Sequence, residues 1–344
     1  MRHVRIGLAA LLVAALAAVL LPVAASGAPT TCPPAPTPVD GHGIHVIASH
    51  WIDPRLLDLT VTSPALAKPA GIRVLLPTGY SAEPTRRYPV LYLLHGGFGT
   101  YVDWTTAGQA EPLTANRDVI VVMPDAGKGG WYSNWTNFGN GGPPEWETFH
   151  IDQVLPWVDA NFRTLANRQH RAIAGLSMGG FGAMSYAARH PELFSSVSSF
   201  SGAINTRNIP VRLLIGVSPL IDGGPPGAIY GIPPVLDTGP ALAHNPWDLA
   251  ANLRGMHVGI YTGNGHPGPL DPPNTFPPLD IQEFEVHDMS VSMDQRLTSL
   301  GIAHTFDDYG NGTHSWPYWN RDFAQELPAI MATIGRRASV RIAP

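Results

Sequence analysis

Five consecutive residues, Gly175-Leu176-Ser177-Met178-Gly179, constrain this chain more than any other stretch of it. They form a G-x-S-x-G pattern between the strand-like run Arg171 to Ala174 and the helical pattern Phe181 to Arg189. A strand that turns at once into a helix brings backbone segments very close together. A side chain at either flanking position would clash there, so both must be glycine. The turn strains the Ser, lifts its hydroxyl to the rim of the sheet, and aims backbone N–H groups and a helix N-terminus at it. Ser177 is therefore the candidate nucleophile.

Such a turn needs a sheet to sit on. Short β-type runs at Ile44 to Ala48, Leu57 to Val61 and Ile72 to Leu76 predict antiparallel strands. Val90 to Leu94 and Val119 to Met123 are continuously apolar, as parallel strands covered on both faces must be. Ile151, Val154, Leu155, Val158 and Phe162 recur at helical spacing and predict a helix over Trp146 to Phe162. Val197 to Ser201, Val258 to Thr262 and Ala303 to Phe306 read as further strands; one helix runs to about Leu300 and another starts near Arg321. This alternation predicts an α/β fold with a doubly wound, mostly parallel sheet, and the Ser turn makes it an α/β-hydrolase fold. From Ile204 to Asn252 the rhythm breaks down amid Pro and Gly, which predicts an insertion over the active-site edge of the sheet.

Composition removes several other classes of function. Apolar residues make up 44% and charged residues 14%, enough to bury a core. A net charge of −5, with no basic run longer than a pair such as Arg336-Arg337, offers nucleic acid nothing to bind. No G-K-[ST], H-E-x-x-H or Cys/His cluster appears, so no nucleotide, metal or other cofactor is expected. Arg2 and Arg5, the apolar run Ile6 to Leu21, and the break at Pro22 before Val23, Ala24 and Ala25 predict a signal peptide over residues 1–27. Secretion follows from it, with an uncleaved membrane anchor as the alternative. Residues 28–42 read as a Pro-rich linker and 43–337 as the catalytic domain, within which 204–252 is the insertion. Cys32 is the single cysteine, so no intrachain disulfide can form. A monomer, associated with the cell envelope, is expected.

A serine nucleophile needs a base, and in this fold an acid and then a His follow it along the chain. Of the 14 His, His314 lies late, in the loop Gly312-Thr313-His314-Ser315-Trp316 between a predicted strand and a predicted helix. His304 and His287 fall within a strand and a helix, and His244, His257 and His266 come early. For the acid, Asp271, Asp280, Glu283, Glu285 and Asp288 are all available, and spacing does not choose among them. The oxyanion hole should take one N–H from Met178 and one from the loop His95-Gly96-Gly97-Phe98-Gly99.

Leu91 to Gly97, Val119 to Pro124, Trp131, Tyr132, Trp135 and Trp146 to Phe149 together resemble the secreted mycolyltransferases of the antigen 85 family and the related esterase-D-like enzymes. So do Gly175 to Gly180, Gly263 to Gly265 and Gly312 to Trp319, and the resemblance covers roughly Ile44 to the C-terminus. It implies a triad of Ser177, Glu283 and His314, with Glu285 as the fallback acid. It further implies that the Gly97 and Met178 amides form the oxyanion hole and that Trp316 lines the sugar-acceptor side. Where those enzymes carry an acid and then an Arg associated with trehalose, this chain has His95 and Phe98. His95, Phe98 and Trp316 are thus the substrate-binding candidates, and trehalose is expected to be a poor acceptor. The expected function is that of a serine esterase or acyltransferase, taking an acyl ester and passing its acyl group to water or to a sugar or lipid alcohol. The alternative is a catalytically silent protein of this fold that binds cell-wall or matrix ligands.

Overall fold

Nine strands form one sheet among residues 36–231 and 239–335, the parts of the chain that this computed structural model describes. The predicted signal segment, Cys32 with the first part of the linker, residues 232–238 of the insertion and the residues after 335 lie outside the described residues. The strands are β1 (His45–Trp51), β2 (Leu56–Thr62), β3 (Ala70–Leu75), β4 (Val90–Leu94), β5 (Ile120–Pro124), β6 (Arg171–Leu176), β7 (Ser196–Phe200), β8 (His257–Thr262) and β9 (Thr305–Asp308). Their order is β1-β2-β3-β5-β4-β6-β7-β8-β9. The β1-β2-β3-β5 pairings are antiparallel, and those from β5 through β4 to β9 are parallel. The helices are α1 (Asp103–Thr106), α2 (Ala110–Thr114), α3 (Leu155–Asn161), α4 (Met178–Arg189), α5 (Ile209–Val217), α6 (Gly239–His244), α7 (Pro246–Leu249), α8 (Ile281–Ser299) and α9 (Trp316–Ile334).

The continuously apolar strands are explained by a core on each face of the sheet. Along β4, Val90, Tyr92 and Leu94 join one core while Leu91 and Leu93 join the other. β5 divides in the same way, Ile120 and Val122 from Val121 and Met123. Successive side chains of a strand point to opposite faces, so both sets must be apolar when both faces are covered. Trp157, Phe181, Val286 and Met289 bring α3, α4 and α8 onto the first face, whereas Trp104, Ala110, Phe323 and Leu327 bring α1, α2 and α9 onto the second. No helix among the described residues is long and apolar enough to cross a membrane.

Three local expectations need correction. The Trp146 to Phe162 helix is not uniform, because a π-helical stretch, Thr148–Val154, precedes α3. The wider turn lets His150 stack on Trp146, at 6.1 Å between ring centroids, while its ring nitrogens reach Tyr186 Oη and the Asp125 carbonyl, each at 2.9 Å. Apolar spacing alone does not reveal such a turn. α9 starts at Trp316, not near Arg321, since Ser315 takes an extended conformation at its N-cap and Pro317 suits a first turn. Finally, the end of the linker is tied down: the Val39 N–H donates to Asn161 Oδ1 at 2.7 Å, and the Val39 carbonyl accepts from Trp157 Nε1 at 2.8 Å.

Topology then marks a location. The chain passes from β4 to β5 on one side and afterwards to β6 on the other, so β4 and β6 lie side by side where the winding reverses. Open α/β sheets bind ligands beyond the strand ends at such a point.

Candidate active site

Ser177 occupies that point, between β6 and α4, at φ 52° and ψ −119°. The strained conformation is held by packing on both sides. A Cβ on Gly175 would fall on the Gly179 carbonyl, and one on Gly179 would fall on the Leu94 carbonyl, so neither glycine can be replaced without moving backbone. The Ser177 N–H donates to the Phe200 carbonyl at 2.9 Å.

From Ser177 a chain of hydrogen bonds runs inward. Its Oγ lies 2.8 Å from His314 Nε2, and His314 Nδ1 lies 2.7 Å from Glu283 Oε2. Glu283 is fully buried on α8. Its other oxygen accepts from the Gly263 N–H at 2.7 Å, Ser201 Oγ at 2.9 Å and Thr262 Oγ1 at 3.3 Å. A buried carboxylate is tolerated when its oxygens are saturated with donors in this way. Oε1 is thus committed to the protein, and Oε2 is left for the imidazole.

The other acid candidates go elsewhere. Asp280 caps α8 by accepting from the Gln282 and Glu283 N–H groups through Oδ1, while its Oδ2 accepts from the His314 N–H at 3.0 Å. One side chain therefore ties the loop of the His to the helix of the Glu. Asp271 accepts from Thr313 Oγ1 at 2.6 Å and Tyr318 Oη at 2.9 Å and so braces the same loop. Glu285 accepts from Asn208 Nδ2 at 2.8 Å. Two residues along a helix turn about 200°, so Glu285 faces away from the imidazole that Glu283 meets. Asp288 is exposed beside His287. Among the other His, His304 pairs with Asp294, His287 with Asp308, His257 with Glu326 and His244 with Glu147.

Gly97 and Met178 line the same cleft as Ser177. Met178 opens α4, where a backbone N–H lacks an intrahelical acceptor. The Gly97 N–H has no partner among the described residues, whereas the Phe98 N–H donates to the Lys128 carbonyl at 2.8 Å. Within this part of the loop, Gly97 keeps a free donor and Phe98 does not.

The substrate-binding candidates divide. Phe98 and Trp316 line a cleft of about 460 Å³ that also contains Ser177 and His314. Phe98 is 62% exposed at its rim. Trp316 stands edge-on to Trp104 and Trp319, both with centroids at 5.4 Å. His95 does not belong with them. It is buried, its Nε2 accepts from the Ala126 N–H at 3.0 Å, and its Nδ1 donates to the Gly96 carbonyl at 2.8 Å. Both ring nitrogens are spent on backbone, so His95 shapes the loop and is not among the residues that line the cleft. Asp103, Lys128, Trp131 and Gln282 also line the cleft, and no motif in the sequence singles out Asp103, Lys128 or Gln282.

Part of the wall comes from the 204–252 stretch. Leu214, Ser218 and Ile221 face the cleft from α5 and the short 3-10 turn that follows it. Asp222 fastens this turn to the floor, accepting from the Lys128 N–H at 3.1 Å and the Gly129 N–H at 2.8 Å. Farther back, Glu147 meets Arg189 Nε at 2.7 Å, His190 Nε2 at 2.8 Å and His244 Nε2 at 3.2 Å. Burial opposes its ionisation, but the bonds from His190, His244 and Arg189 outweigh burial and hold Glu147 well below the ordinary carboxylate range. The adjacent His150 is lowered to about 4 by burial, against the opposing pull of the Asp125 carbonyl.

Comparison with known proteins identifies the family. The Esterase family model matches residues 63–330. The esterase Rv1288 of Mycobacterium tuberculosis is 38% identical over 306 residues, covering 88% of this chain. The chain spans 64% of the length of that relative. The diacylglycerol acyltransferase/mycolyltransferase Ag85B of Mycolicibacterium smegmatis is 31% identical over 261 residues, 71% of this chain and 77% of that protein. Among solved structures, Mycobacterium tuberculosis MPT51 superposes with a TM-score of 0.65 at 25% identity, over 80% of this chain and 97% of its own.

Proposed function

This chain belongs to the Esterase family, and on that premise we propose that it is a serine acyl-transfer enzyme that forms an acyl-enzyme on Ser177. The observation that carries the reading is the unbroken path Ser177 Oγ, His314 Nε2, His314 Nδ1, Glu283 Oε2, opening on one cleft. His314 takes the proton as Ser177 Oγ attacks the ester carbonyl, and Glu283 holds the imidazole in the tautomer that leaves Nε2 free to accept. The Gly97 and Met178 N–H groups receive the oxyanion. His314 then returns the proton to the leaving alcohol, and water or a second alcohol repeats the sequence in reverse.

The acceptor enters along the side of the cleft that carries Phe98, Lys128, Trp131 and Trp316. Phe98 presents an apolar ring there, which favours water or a less polar alcohol over trehalose. In a competition assay with one acyl donor, trehalose and a monoacylglycerol, efficient saturable acylation of trehalose would overturn this preference. Export through the N-terminal segment, with residues 43–337 forming the catalytic domain, completes the proposal. Sequencing the N-terminus of the protein recovered outside the cell tests the export. The central test is labelling with a fluorophosphonate and peptide mapping by mass spectrometry. Label on Ser177, abolished in His314→Ala, is expected; a folded protein that takes no label and turns over no nitrophenyl ester would sink the reading and favour a ligand-binding protein of this fold.

A further inference from the structure

The cleft continues past Ser177 into a second, smaller chamber. It has a volume of about 170 Å³ and shares Ser177, His314, Trp131, Leu214 and Gln282 with the larger arm. Its own walls are aliphatic: Ala203, Pro210 and Val211 on one side, Ile281 and Val286 on the other. It therefore lies between α5 and α8. Those two helices are joined by one hydrogen bond, from Asn208 Nδ2 at the N-cap of α5 to Glu285 Oε2 at 2.8 Å, and Glu285 is also part of the chamber wall.

Resting on the reading of Ser177 as nucleophile, we propose that this chamber is an acyl pocket for short chains, and that the Asn208–Glu285 bridge is the stop that sets their length. The two arms differ in chemistry as the two halves of an ester do. The larger arm sets Asp103, Lys128 and Ser315 among its aromatic rings, where the alcohol half of an ester has polar partners. The smaller arm offers methyl and methylene surface, with Glu285 at its margin. An acyl-enzyme must keep its acyl chain seated while one alcohol leaves and another molecule enters, so the chain belongs in the arm that the acceptor does not use. Size then fixes the class. An apolar cavity of about 150 Å³ holds a benzene-sized group, so a chamber slightly larger accommodates about six carbons beyond the carbonyl. A long acyl chain meets the bridge, and leaving the Glu285 carboxylate unpaired against methylene groups is unfavourable. The substrates are esters of short acids.

The test uses the whole protein and nitrophenyl esters from acetyl to decanoyl, each below its micellar concentration. Each methylene that finds room gains roughly fourfold in kcat/KM. The profile should rise from acetyl to about heptanoyl and fall at least tenfold by decanoyl. Glu285→Ala, which removes the stop, should raise the octanoyl-to-acetyl ratio about tenfold. Ala203→Leu, which fills the chamber, should lower the butyryl-to-acetyl ratio about tenfold; should it fail to fold, Val211→Phe fills the same space from α5. A profile still rising at decanoyl, or ratios unmoved by all of these substitutions, overturns the proposal. So does a profile that responds instead to Phe98→Ala, since the acyl chain would then occupy the larger arm. Failure of the underlying reading looks different: no ester is turned over and Ser177 takes no label.

Discussion

Around Ser177 each group of the proposed chemistry is fixed by several bonds that converge on it, whereas the stretch above it, from Ile209 to Asp222, is held at a few separate points. Glu283 makes four hydrogen bonds, and the loop of His314 is braced by both Asp280 and Asp271. α5 buries Val211 and Ile215 but leaves Ile209, Leu213 and Val217 exposed. Its fastenings are the Asn208–Glu285 bond and, through the turn after it, Asp222 and the Ser218 hydroxyl, which accepts from Trp131 Nε1. The difference follows from tolerance. Proton transfer between heavy atoms fails when they separate by an ångström, whereas an apolar wall works across a range of packings.

Substitutions on the two sides should therefore separate. Ser177→Ala, on the floor, should cost about 10⁶-fold in kcat with an unchanged melting temperature, measured on any ester the enzyme accepts. Activity near that of the natural protein would remove Ser177 from the mechanism. Glu283→Gln should cost about 10⁴-fold, because the amide favours the wrong imidazole tautomer. Glu285→Gln should stay within about threefold on an acetyl ester, and a reversal of these two would exchange their assignments. A pH titration of stability probes the frame behind the floor. His150 is lowered from 6.5 to about 4, so between those values the unfolded chain binds a proton that the folded protein refuses. Its contribution is full above pH 6.5 and is lost as the pH falls toward 4, on the order of 2–3 kcal/mol, or about 100-fold in the folding equilibrium. Glu147 acts in the same direction lower down, contributing above its ordinary value of 4.5 and losing that contribution below it. Denaturant unfolding at pH 7 and pH 4.5 should show the drop, and His150→Gln should flatten it; an equal drop in the variant would assign it to other groups. The smallest effect belongs to the roof. Asp222→Ala should raise KM about threefold and leave kcat within twofold, and a large fall in kcat would mean that the roof positions the reacting groups after all.

The same contrast governs what can be read from the sequence. Ser177 is legible because a strand that becomes a helix through a Ser needs glycines at fixed positions, and His314 because chain order in the fold restricts where a base can fall. The choice between Glu283 and Glu285 is not legible from spacing, since both lie on α8 and its direction relative to the imidazole is set by tertiary packing. The resemblance to a family points to Glu283, the residue that the structure brings to His314. His95 misleads for the opposite reason. A His in a loop after a core strand looks available, but the turn of that loop directs its ring inward to two backbone partners. Nothing in the 204–252 stretch announces Leu214 or Ser218, because a wall of mixed aliphatic residues has no periodicity to detect.

One feature of topology has an evolutionary consequence. β7 and β8 are parallel neighbours, so the chain between them must cross over a face of the sheet and cover it. α7 and the 3-10 turn Ala250–Leu253 do this, packing against α4 and burying Pro246, Ala250 and Leu253. The obligatory part of the crossover thus occupies its last few residues. The part ahead of it, which walls the cleft, carries no duty toward strand order. Related chains can lengthen, shorten or exchange that part and acquire new substrates while inheriting the catalytic floor intact.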